Sequence, residues 1–145
     1  AELGGAMKNV MAIACGAAIG AGLGDSARAA LMMRGFAEMV RVAVALGSDP
    51  VTLIGLSGFG DLVLPCSSEA SRNFRAGVAR GQGKSLPEDT TTEGVATAQA
   101  LCELADRHSL DLPITSVVTA LAAQQLQVRD AMDMLLSRPL KDEKC

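Results

Sequence analysis

The chain has almost no large rings with which to fill a core: three Phe, no Trp and no Tyr, although 49% of its residues are apolar. The interior must then be built from Ala, Leu, Val, Met and Gly. Such a mix suits closely packed helices, whereas β-sandwiches draw on aromatic and β-branched residues to cover a pleated surface. The 145 residues fit one domain, long enough to bury roughly 70% of the unfolded chain's surface.

The apolar spacing agrees. Met7, Val10, Met11 and Ala14 recur at helical intervals, so a first helix is expected from about Glu2 to Ala18, dissolving into Gly20-Ala21-Gly22-Leu23-Gly24. That glycine run follows a helix rather than a strand and lacks the G-x-G-x-x-G spacing, so it reads as a stop and turn. Asp25 or Ser26 is placed to cap a second helix reaching about Leu46, with Gly47 to end it. Two apolar rows (Met33, Ala37, Val40, Val44 and Met32, Phe36, Met39, Ala43) mark that helix as central. Arg34, Glu38 and Arg41 remain as a narrow charged stripe at ion-pair spacing, read as structural, with Arg34 also able to point towards an anion. Asp49-Pro50 signals the start of a short helix broken by Gly55 and Gly58. Helical pattern then covers about 67–80 and 93–108, resumes at Pro113, and closes at 128–136, with 81–92 the most loop-like section. The expectation is an all-α single domain over residues 1–145.

Several function classes drop out. The net charge is −3 and the basic residues are scattered, so there is no basic stripe for a nucleic acid. Four widely separated cysteines and a single histidine offer no zinc spacing, and no metal site is expected. Cys15 and Cys102 sit in apolar helical pattern and read as small hydrophobes of a reducing cytoplasm. The uncharged run from Asn9 to Gly24 falls short of the ~20 residues of a membrane span, and Glu2 before Lys8 opposes the charge order of a signal peptide.

Chemistry concentrates in a few places. Lys8, the only lysine among the first eighty residues, lies on the first helix amid small and apolar neighbours. A lysine there either snorkels to water along its methylene stem or is partly desolvated, which lowers its pKa toward that of a general base. Asp61, between Gly60 and an apolar run, is a helix cap or a functional carboxylate. Ser71, Arg72 and Asn73 stand side by side at a helix start. Arg supplies a planar fork for phosphate or carboxylate oxygens and its neighbours add neutral hydrogen bonds, although a solvated helix face has the same composition. His108, in a last helical turn, is assigned no catalytic part.

Three stretches then converge: Glu2-Leu3-Gly4-Gly5-Ala6-Met7-Lys8-Asn9, Gly58-Phe59-Gly60-Asp61-Leu62-Val63-Leu64-Pro65-Cys66, and Ser71-Arg72-Asn73. With the ending Ser137-Arg138-Pro139-Leu140-Lys141-Asp142-Glu143, the chain resembles, over its whole length, the C-terminal domain of bacterial NAD(P)-dependent sn-glycerol-3-phosphate dehydrogenases. The resemblance implies an all-α fold like the 6-phosphogluconate-dehydrogenase-like C-terminal domains. It also implies a separate N-terminal Rossmann domain, absent from these residues, that binds most of the NAD(P)H. The implied reaction interconverts dihydroxyacetone phosphate and sn-glycerol 3-phosphate for phospholipid synthesis, in a cytoplasmic homodimer.

By the same resemblance Lys8 is the general acid/base at the C2 oxygen and Asn9 helps to hold the reacting centre. Asp61 is the substrate-site aspartate beside that lysine. Ser71, Arg72 and Asn73 contact glycerol phosphate, Arg72 also approaches the nucleotide, and Glu93 lies at the cofactor edge. Two positions depart from the family pattern: Pro65 replaces a usual threonine, and Thr91-Thr92 precede Glu93 in place of valines. No strand followed by G-x-G-x-x-G occurs, so these residues alone are expected not to turn over. The competing readings are a related hydroxyacid or 6-phosphogluconate dehydrogenase domain, and a non-catalytic helical dimerisation or ligand-binding module.

Overall fold

The computed structural model describes residues 2–47, 56–67, 71–84, 96–122 and 127–137. They form seven helices: α1 (Glu2–Gly20), α2 (Gly24–Ala45), α3 (Leu56–Ser67), α4 (Arg72–Gly81), α5 (Ala96–His108), α6 (Pro113–Ala122) and α7 (Val128–Leu136), with no strand among the described residues. The expected starts at Asp49-Pro50 and Glu93-Gly94 lie outside the described residues.

The central helix is α1, not α2. Every residue from Val10 to Ala18 is buried, and α1 touches each of the other six helices. Its residues are small or flexible enough to be covered on all sides, and each fully buried Met or Ile contributes roughly 1.5–3 kcal/mol. On α2 the buried row is Leu31, Arg34, Gly35, Glu38, Met39 and Val42. Met33 and Val44, on a row expected to be internal, are 50% and 46% exposed. The charged stripe has gone inward because it has a partner there. Glu38, fully buried, accepts from Ile114 N (2.6 Å), Thr115 N (3.3 Å) and Thr115 Oγ1 (3.1 Å). Those are the first-turn donors of α6, which Pro113 begins, so a carboxylate from another helix caps it. Arg41 Nε reinforces the joint by donating to the Asp111 carbonyl (3.1 Å). Burial pushes the Glu38 carboxyl up to about 7, against the opposing pull of these hydrogen bonds and of Arg41.

The glycine run ends α1 as expected. Leu23 N bonds to Ala18 O (3.0 Å) and Gly22 N to Ile19 O (3.0 Å), with Gly22 at φ +80°. This is a Schellman stop that needs a left-handed residue, which glycine supplies without strain. Because the chain turns at once through Gly24, α2 starts before Asp25 or Ser26 can cap it. Leu23 occupies the cap position without a side-chain bond, and Asp25 instead pairs with Arg28 in the first turn (3.1 Å). Nor does Gly58 break the chain: α3 runs through Gly58, Gly60 and Pro65. Leu62 and Cys66 on α3 are fully buried, and packing of that face against α1 overrides weak local propensity. There the Cys15 thiol bonds to Cys66, and that bond and burial together push it far above its ordinary range.

Candidate active site

The start of α4 packs beside the middle of α1, near one end of the domain. Gly16 and Gly20 of α1 lie against the backbone of Phe74 and Val78, while Gly77 and Gly81 of α4 lie against that of Ile13 and Ala17. Both series ascend together, so α1 and α4 run parallel. At all four glycines a Cβ would overlap a carbonyl oxygen of the facing helix. The backbones therefore touch, closer than the roughly 8–10 Å of ordinary helix packing.

That contact fixes which residues are neighbours. Gly77 faces Gly16, an offset of 61 positions that brings Ser71 level with Val10 and Arg72 level with Met11. Lys8 is three residues short of that level, about 4.5 Å along the axis. Asn9 belongs to the stripe of α1 that faces α4, in step with Ile13, Gly16 and Gly20, and is exposed because α4 begins only at Arg72. Asn73 is on the corresponding stripe of α4, one turn before Gly77. Lys8, half-buried between the buried Met7 and Val10, is thus at the same end as exposed Arg72 and half-buried Ser71 and Asn73.

Ser71 is also the N-cap of α4: its backbone is extended and its Oγ accepts from Phe74 N (3.2 Å). Its own hydroxyl hydrogen can still be donated. The capped helix presents first-turn N–H groups and the positive end of its dipole beside Arg72, a combination suited to an oxyanion. Asp61 lies in the second turn of α3. Its side chain, and Glu93 altogether, are outside the described residues.

A cavity of about 210 Å³ occurs at the other end of the same two helices, lined by Gly20, Ala21, Gly81, Val128, Arg80 and Arg129 among others. Its arginines staple helix ends: Arg80 Nε donates to Leu121 O (3.1 Å) and Arg129 Nη2 to Ala21 O (2.6 Å). It is separate from the Lys8 end.

Sequence reasoning missed the glycine joint and the Glu38 cap. The first had a signal, since Gly16 and Gly20, and again Gly77 and Gly81, are spaced by four, as close helix crossings require. The second had none, because Ile114 and Thr115 are 76 and 77 residues from Glu38.

A family model described as NAD-dependent glycerol-3-phosphate dehydrogenase C-terminus matches residues 1–133. The glycerol-3-phosphate dehydrogenase [NAD(P)+] of Ruegeria sp. (strain TM1040) is 60% identical over 143 residues, which are 99% of this chain and 45% of that protein. The protein of the same name from Roseobacter denitrificans is 62% identical, with the same coverage. The crystal structure of glycerol-3-phosphate dehydrogenase from Coxiella burnetii superposes with a TM-score of 0.86 at 38% identity, covering 94% of this chain and 44% of that one. The chain thus spans a little under half the length of these relatives. With a helical fold, a matching family model and relatives of one name, the chain belongs to the family of NAD-dependent glycerol-3-phosphate dehydrogenase C-terminal domains.

Proposed function

We propose that this chain is the substrate-binding and catalytic part of an enzyme that interconverts dihydroxyacetone phosphate and sn-glycerol 3-phosphate with NAD(P)H, supplying glycerophospholipid synthesis. The observation that carries this reading is the parallel packing of α1 and α4, which sets Lys8 and Asn9, in the second turn of α1, at the same end as Ser71, Arg72 and Asn73 at the start of α4. The phosphate is held at the start of α4 by the Arg72 fork, the first-turn N–H groups, the Ser71 hydroxyl and the Asn73 amide. The C2 oxygen then lies toward Lys8, with Asn9 steadying it. A nicotinamide nucleotide, when bound by the separate nucleotide-binding part, would supply or accept the hydride. As negative charge develops on the carbonyl oxygen, the Lys8 ammonium stabilises it and delivers the proton; in the other direction neutral Lys8 removes the hydroxyl proton. Asp61, on the neighbouring α3, is the proposed carboxylate partner of Lys8 at the substrate. Arg72 is exposed and can also meet a nucleotide held outside this chain, with Glu93 at the same cofactor edge. Half-exposed Met33 and Val44 on α2 support a homodimer, and reduced, buried Cys15 and Cys66 support a cytoplasmic setting.

The test is to graft this chain in place of the corresponding part of the Ruegeria dehydrogenase and assay oxidation of NADH and NADPH. Turnover of dihydroxyacetone phosphate, with none of 6-phosphogluconate or 3-hydroxy acids in the oxidative direction, is expected. A preference for either of the latter would overturn the reading.

A further inference from the structure

At four points the contact between α1 and α4 has no side chain between the two backbones. Gly16, Gly20, Gly77 and Gly81 each leave room for a carbonyl of the facing helix, and the nearest atoms are all main chain. A side-chain interface can absorb a small shift by changing rotamers. One made of backbone cannot, so the axial offset between the helices is fixed to a fraction of a turn. The same two helices bear the residues proposed to hold opposite ends of the substrate: Lys8 and Asn9 in the second turn of α1, and Ser71, Arg72 and Asn73 at the start of α4.

We infer that the four glycines, Gly77 above all, are positioning residues that set the span between the proton-transfer site at Lys8 and the phosphate site at Arg72. This rests on the function proposed above and deepens it: the enzyme selects a phosphomonoester whose reacting oxygen is one fixed distance from its phosphate. None of the glycines touches substrate. Gly77 acts through α4, because its Cβ would meet Ile13 O, Ala17 N and Gly16 Cα. All three are backbone, so α4 as a whole must slide or lift. A displacement of about 1 Å at a two-point site costs roughly 100-fold in rate.

A substrate gripped at only one point does not feel that span. Dihydroxyacetone has the same reacting ketone and no phosphate. In the grafted dehydrogenase, Gly77→Ala is expected to lower kcat/KM for dihydroxyacetone phosphate by roughly 100-fold while changing that for dihydroxyacetone by less than about threefold. The discrimination between the two collapses. Gly81→Ala is the milder version, at the last residue of α4, and is scored by the same ratio should Gly77→Ala not fold. Gly47→Ala is the stability control. It is strained at φ +86° with nothing within 4 Å of its Cβ, so it destabilises without touching α1 or α4, and the ratio should stay at its wild-type value. If the glycine variants lower both substrates in parallel, or neither, the glycines are packing elements only and the inference is overturned. If the wild-type graft does not turn over dihydroxyacetone phosphate at all, the functional reading itself falls, and this inference with it.

Discussion

Two joints hold this domain together by opposite means. Where α1 meets α4 the sequence has removed side chains, and backbone lies on backbone at Gly16, Gly20, Gly77 and Gly81. Where α2 meets α6 it has inserted one, and Glu38 reaches across to the open N–H groups at Ile114 and Thr115. The first joint is steric and has no charge to titrate. The second is polar and answers to the protonation state of a buried acid. A contact that must hold two site elements in register is built from the part of the chain that cannot re-rotamerise. A contact that only has to anchor a distant helix can be left to a single side chain.

Substitutions should break the two joints differently. The largest effect is expected at the glycine joint: Gly20→Leu drives a side chain into the Val78 backbone, which has no rotamer to yield. A loss of about 5 kcal/mol, enough to unfold a marginal domain, should appear as loss of a cooperative thermal transition. A transition within a few degrees of wild type would mean that the helices can separate freely, and the contrast would fail.

At the other joint Glu38→Ala leaves the Ile114 and Thr115 donors buried without their acceptor, and about 2–4 kcal/mol should be lost by denaturant titration. The smaller effect is its pH signature. The folded-state pKa of Glu38 is raised to about 7 from an ordinary 4.5. A raised acid binds more protons in the native state, so its stabilisation is complete below pH ~4.5 and fades as pH rises through ~7, on the order of 3 kcal/mol. Gln reproduces the neutral form, so stability curves of wild type and Glu38→Gln should run close together in acid and separate as pH rises through ~7, with wild type falling, while the glycine joint contributes no slope. Parallel curves from pH 4 to 8 would show that Glu38 is ionised throughout and that its hydrogen bonds outweigh burial.

The contrast also explains what was legible in advance. Helix identity was readable because it is local. Apolar spacing placed α1, Pro113 opened α6, and 128–136 closed the described chain where expected. The proposed site residues were readable as three short motifs, and α1 and α4 bring two of them together. Which helix is central was not readable, because α2 and α1 have similar apolar content and only tertiary contact decides between them. The same blindness made Glu38 look like part of a surface stripe, when its partners are more than seventy residues away. Asp25 failed as a cap because two left-handed glycines start α2 one residue before it, a matter of turn geometry rather than composition.

Lys8 is the pivot of the proposed chemistry, and the most direct measurement is the turnover of dihydroxyacetone phosphate by the grafted dehydrogenase with Lys8→Ala, its fold verified by thermal unfolding. General acid/base catalysis is worth roughly 10²–10⁴-fold, so kcat should fall by at least about 100-fold while KM, set at the start of α4, changes little. A variant that keeps kcat within about threefold of wild type would remove Lys8 from the chemistry and leave the start of α4 as a binding site only.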